Sequence, residues 1–138
     1  MKKQYLFLLP VLFAFCSVKA FSQSAATGQI CFIRATGYVA SAVNFRVFID
    51  DSLACKLKNK RYSLHTVSAG EHTVSAQNMG ISLDKKSAPF KVLVAEGKIT
   101  YINLVWANEV SCQEITANSA EQSLKKIKQT TDCGSKTN

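Results

Sequence analysis

A small antiparallel β-sandwich of about seven strands, with one C-terminal amphipathic helix, is the fold class that this 138-residue sequence predicts. Three observations lead to it. From Phe45 onward, apolar and polar residues alternate in short runs, the period-two pattern of half-buried strands. Between the runs stand Asp50-Asp51-Ser52, Asn59-Lys60, Ser68-Ala69-Gly70 and Ala95-Glu96-Gly97, each short enough to close a hairpin. Near the end the period changes: Ala120, Leu124 and Ile127 recur at helical spacing behind the capping-box pair Asn118 and Glu121.

The strands follow in chain order. "GQICFIR" reads as the first. A three-residue turn at Asp50-Asp51-Ser52 sets Ile49 against Leu53, Val47 against Cys55 and Phe45 against Leu57, with all six side chains on one face. A two-residue turn at Asn59-Lys60 continues that face through Tyr62, Leu64 and Thr66. A three-residue turn at Ser68-Ala69-Gly70, with Gly70 supplying the left-handed conformation, sets Thr66 against His72 and Leu64 against Val74. In "APFKVLVAEGKITYINLVW", Phe90, Val92 and Val94 run up to a turn, and Thr100, Ile102 and Leu104 return from it.

The ends of the chain assign its compartment. Lys2 and Lys3 precede an apolar run from Tyr5 to Cys16 and then small residues, the layout of a secretory signal peptide spanning 1–22. That run is too short for a transmembrane helix, which needs about 20 apolar residues, and no later segment qualifies. Cys16 follows Phe15, so the small residue that an acylation signal needs there is missing. The expected location is the periplasm or the exterior. Residues 23–130 then form one domain with its helix, and 131–138 a polar tail.

Losing Lys2, Lys3 and Lys19 lowers the formal net charge from +8 to about +5. The remaining positive charge is concentrated in "KLKNKR", where Lys56, Lys58, Lys60 and Arg61 form a candidate binding surface, and in Lys125, Lys126 and Lys128. An exported chain lacking aromatic-rich nucleic-acid motifs is not expected to bind nucleic acid. An anionic glycan or an envelope protein suits the charge better, and a solvated hairpin tip is the plain alternative.

Cys31, Cys55, Cys112 and Cys133 remain after signal removal, an even set that suggests disulfides in an exported protein. Cys112 and Cys133 bracket the helix and form one candidate pair, leaving Cys31 with Cys55; burial as free thiols is the other use. With no C-x-x-C spacing, neither thiol exchange nor a zinc cluster is indicated, and no cofactor is expected. The predicted register points His72 into the core beside the Gly70 turn, hydrogen-bonded to turn backbone, and His65 outward, so that the two histidines share no ligand.

"FRVFIDDSLACKLKNKRYSLHTVSAGEHTVSA" resembles a bacterial envelope family catalogued as domain of unknown function 2846. Phe45, Val47, Asp50, Asp51, Leu57, Asn59, Tyr62, Gly70 and His72 stand at the matching places, and the resemblance extends to "GQICFIR", "AEGKITYINL" and the helix. The chain differs at Asp51, where glycine is usual, and at Ala69, where proline is usual. The resemblance implies an uncharacterised sandwich without established catalytic residues. The chain also contains no Gly-x-Ser-x-Gly nucleophile motif and no phosphate-cradling loop.

The expected function is therefore a non-catalytic envelope module with a binding or accessory role. The alternative is a secreted ligand binder or enzyme inhibitor that recognises an anionic glycan or protein through the basic hairpin. Binding loops would be "ATGYVASAVN" and "QNMGISLDKKSA". An enzyme using Asp50, Asp51, Asp84 or His65 is the weakest class, because adjacent aspartates at a turn are usually turn formers.

Overall fold

A computed structural model describes residues 24–38, 40–80 and 85–133; the signal-peptide expectation for 1–22 and residue Asp84 lie outside them. The described chain is a two-sheet β-sandwich with one short helix. The strands are β1 (Thr27–Arg34), β2 (Phe45–Ile49), β3 (Ser52–Leu57), β4 (Arg61–Ser68), β5 (Gly70–Asn78), β6 (Phe90–Val94), β7 (Ile99–Trp106), β8 (Val110–Ile115) and β9 (Lys128–Gln129); helix α1 is Ala117–Leu124. One sheet has the order β8-β7-β1-β4-β9 and the other β3-β2-β5-β6. Most neighbours are antiparallel, but β1 with β7 and β4 with β9 are parallel. No helix among the described residues is long and apolar enough to cross a membrane.

The two sheets face each other through one apolar layer. Ile30, Phe32, Ile102 and Leu104 meet Phe45, Val47, Leu57, Val74 and Ala76, all at most 2% exposed. β1 is central in its sheet and covered on both faces, which explains why "ICFI" is a continuous apolar run rather than an alternating one. On its second face Cys31 and Ile33 pack with Tyr62, Leu64, Tyr101 and Ile115 beneath Ala120 and Leu124 of α1. The helical spacing of Ala120, Leu124 and Ile127 serves this contact. The helix begins earlier than its capping-box pattern suggests, with Thr116 as N-cap accepting from Ser119 N.

Inward and outward faces agree with the alternation in β2, β5, β6 and β7, whereas several strand pairings differ from those expected. Phe45 opposes Leu57 and Val47 opposes Cys55 as predicted, but the turn contains only Asp50 and Asp51, both left-handed at φ 47° and 63°. A bulge at Ala54 absorbs the difference and turns Leu53 outward, 40% exposed. β3 and β4 do not form a hairpin. At Asn59-Lys60 the chain crosses from one sheet to the other, and the Asn59 side chain holds the crossing: Oδ1 accepts from Thr36 N and Lys60 N, and Nδ2 donates to Gly37 O. Ser68-Ala69-Gly70 is likewise a crossing, from β4 to β5, and so is the β6–β7 turn. Tyr62 and Leu64 therefore lie beneath the helix, while Ser63, His65 and Val67 face the opposite sheet.

A charged side chain completes the core. Arg34 is fully buried, donating from Nη1 to Leu57 O at 2.6 Å and from Nη2 to Ala40 O at 2.7 Å. Its guanidinium lies 3.6 Å from the centre of the Phe45 ring, which in turn stacks on Trp106. Burial lowers its pKa to about 10, which still leaves it charged at neutral pH. A desolvated cation over an aromatic ring contributes about 2 kcal/mol, and the two carbonyls bind the end of β3 and the loop after β1 to the same group.

Gly28 marks the tightest approach between β1 and the β6–β7 turn: a Cβ there would stand 2.5 Å from both Ala95 O and Val94 Cγ1. Gly28→Ala is expected to lower unfolding stability by about 1–3 kcal/mol through overpacking, read as a lower urea midpoint with unchanged slope. An unchanged midpoint would show that the turn yields freely.

Candidate functional site

The expected disulfides are not those formed. Cys55 is bonded to Cys133, while Cys31 and Cys112 are free. Topology gives the reason. Cys112 lies on β8 and Cys133 follows β9, at opposite edges of the five-stranded sheet, about 19 Å apart at ~4.8 Å per strand. Disulfides require Cα atoms within about 7 Å. Cys31 lies under α1 on the outer face of its sheet, whereas Cys55 points into the interface from the other sheet. Burial pushes both free thiols up to about 12, as inert packing groups.

The bond to Cys133 brings the C-terminal segment against "KLKNKR". β9 adds to the edge of β4, Thr130 N donates to Tyr62 O at 2.8 Å, and Lys56 N donates to Cys133 O at 3.2 Å. The fold thus includes residues that the sequence pattern assigned to a polar tail. Between this segment and the crossing lies a groove of about 410 Å³. Lys56, Lys58 and Arg61 line it on one side, and residues 129–132 with Asn44 supply amides, hydroxyls and one carboxylate. Three of the four basic residues singled out from the sequence meet there; Lys60, in a left-handed turn position at φ 56°, does not line it. Since β3 and β4 belong to different sheets, the surface is a groove across the sandwich edge, not a hairpin tip.

The loop "ATGYVASAVN" is anchored by Arg34 through Ala40 O and by Asn59 through Gly37 O, with Tyr38 exposed. The loop "QNMGISLDKKSA" packs its Ser87 against β5, where Ser87 Oγ accepts from Ala76 N.

His72 is 9% exposed and sits beside Gly70, whose φ of +132° turns the chain into β5. Its Nδ1 is 2.6 Å from Asp50 Oδ2, its Nε2 is 2.7 Å from Ser68 O, and Ser68 Oγ lies 3.4 Å from the same nitrogen. Aspartate, histidine and serine in this order resemble a nucleophilic triad, but the carbonyl rules the role out. A carbonyl oxygen only accepts, so Nε2 must carry a proton; the carboxylate demands one on Nδ1 as well. With both bonds made the ring carries two protons, and in that state it has no lone pair with which to act as a base toward Ser68. Its pKa is raised first by the Asp50 hydrogen bond and then by Ser68 O, while Asp50 is held below the usual carboxylate value by Thr73 N and His72. This is a latch between the β2–β3 turn and the β4–β5 crossing. The expected bond from His72 to turn backbone is present; Asp50 is the partner that sequence reasoning missed.

His65 points inward, against the expectation, because β4 crosses to the other sheet. It lies against Phe32 with ring centres 5.9 Å apart, and its Nε2 is 3.0 Å from Ser63 Oγ. Burial lowers its pKa, favouring the neutral ring. Its nitrogen and the sulfurs of Cys55 and Cys133 all lie within 4.8 Å of one another, the one such group of three metal-ligating side chains among the described residues.

The latch makes a pH prediction. The raised His72 pKa contributes stability that is fully present below the unfolded histidine value and is lost as pH rises through the folded one. The lowered Asp50 pKa contributes stability that is present above the unfolded aspartate value and is lost as pH falls through the folded one. Stability is expected to be greatest between about pH 4 and 6.5 and to decline on the alkaline side, and His72→Gln should flatten that alkaline decline. Parallel pH–stability curves for the two proteins in urea would remove the latch from the account.

No family model, no curated protein and no solved structure matches the chain.

Proposed function

We propose that this protein is an exported, non-catalytic β-sandwich module of the bacterial envelope that binds an anionic saccharide in the groove between "KLKNKR" and the C-terminal segment. One observation carries the reading: Lys56 of β3, Lys58 of the crossing and Arg61 of β4 converge on a groove whose other lining groups are amides and hydroxyls, with Asp132 the one carboxylate against three cations. Cations suit the acid groups of such a ligand, and neutral polar groups suit its hydroxyls. The amino-terminal signal pattern and the resemblance to the envelope family support the location. The disulfide is consistent with an oxidising compartment.

Titration with an oligouronate, against the neutral oligosaccharide as control, tests the proposal. Replacing Lys56, Lys58 and Arg61 together by alanine is expected to weaken binding roughly 10- to 100-fold, at about 0.5–1 kcal/mol per exposed charge. Affinity should fall between low and physiological salt. Lys125→Ala with Lys126→Ala, at the other basic cluster, should leave binding unchanged. An equal loss in that control, or equal binding of the neutral sugar, would replace a site with mere net charge.

A further inference from the structure

We propose that the reduced form of this protein binds one Cu(I) ion through Cys55, Cys133 and His65, a site mutually exclusive with the disulfide. The three donors come from separate parts of the chain, β3, the C-terminal segment and β4, yet their ligating atoms lie within 4.8 Å of one another. Two thiolates and an imidazole make a soft donor set, and thiolates select Cu(I) or zinc. A structural zinc site takes four protein ligands in a tetrahedron. This cluster has three, beside the Phe32 ring, and so suits an ion content with low coordination.

The geometry does not depend on the covalent bond alone. Lys56 N donates to Cys133 O, Thr130 N donates to Tyr62 O, and β9 pairs with β4, so the backbone holds the two sulfurs together after reduction. The Nε2 contact with Ser63 Oγ orients the His65 ring beside the two sulfurs. Ser63 is itself buried, so this support is firm.

The chemistry balances with a dithiol of the thiol–disulfide exchange class as reductant. One of its thiolates attacks Cys133 Sγ, the more exposed sulfur, and releases Cys55 as thiolate. Its second thiol then frees Cys133 and leaves the partner as a disulfide, so that two electrons reach this protein. Binding of Cu(I) displaces the thiol protons and changes no oxidation state.

The test uses the full chain with Cys16, Cys31 and Cys112 replaced by alanine, so that Cys55 and Cys133 are its only thiols. Oxidised and anaerobically reduced samples are titrated with Cu(I) buffered by a chromophoric chelator. One equivalent bound by the reduced form and none by the oxidised form is expected, with X-ray absorption reporting two sulfurs and one nitrogen. His65→Ala should weaken binding about 10- to 100-fold or more and remove the nitrogen. Should the triple replacement fail to fold, the same reduced-minus-oxidised difference is read in the native chain, whose other cysteines are present in both forms. Equal stoichiometry in the two forms, an unaffected His65→Ala, binding of Zn(II) but not Cu(I), or loss of the sheet circular-dichroism signal on reduction would each overturn the proposal. None of these outcomes bears on the saccharide groove, whose titration uses the oxidised protein.

Discussion

The bond between Cys55 and Cys133 closes the sandwich along the edge where β3 and β4 part into different sheets. Ahead of it, β9 pairs with β4 of one sheet; the sulfur then reaches β3 of the other. A segment of six residues, 128–133, is therefore fastened to both layers and bridges their open side. The bond spans 78 residues, and closing a loop of that length removes enough unfolded-chain entropy to stabilise the fold by about 4.5 kcal/mol. The pairing suggested by sequence proximity would have closed a much shorter loop and fastened the helix alone.

How far the fold could be read from the sequence depended on what covered each strand face. Apolar runs and turns marked β1 to β7 but not β8 or β9. Alternation gave the inward residues of β2, β5 and β6, which lie in the sheet without the helix, and of β7, whose apolar residues Ile102 and Leu104 fall on the inner face while Tyr101 lies beneath α1. It failed at β4. Both faces of β4 are covered, one by the opposite sheet and one by α1, so Tyr62 and Leu64 mark the helix-facing side while Ser63 and His65 occupy the sandwich interior. A period-two pattern identifies the more apolar face, and in a sheet with two covered faces that is not always the inner one. The pairing errors share a second cause: a short turn permits a hairpin, but a chain that changes sheets needs an equally short turn. At Asn59 the side-chain bonds to Thr36 and Gly37 decide between the two, and neither partner is near in sequence.

Arg34 illustrates interior chemistry that no pattern signals. In "ICFIR" it looks like the polar end of a strand, yet it is among the largest fully buried side chains. Its charge is met by two carbonyls and an aromatic face. Without that cation, the carbonyls of Leu57 and Ala40 would lose their side-chain donors at the point where loop 35–44 returns to β2. Because burial of an unpaired charge is costly, the surrounding packing must hold Phe45 and these carbonyls in place, and the cation in turn fixes the end of the sandwich beside the groove.

The two histidines follow from the same topology. Both enter the interior, from opposite sheets, but their neighbours differ in kind. His72 meets a carboxylate and a carbonyl, both acceptors, which favour the doubly protonated state in which it binds turn to crossing. His65 meets a hydroxyl, an aromatic edge and two sulfurs, none of which demands a positive charge, and burial lowers its pKa and favours the neutral ring. A protonated ring can only donate hydrogen bonds, whereas a neutral one retains a lone pair. Of the two, only His65 has a lone pair to offer, and it lies beside the bond that closes the fold.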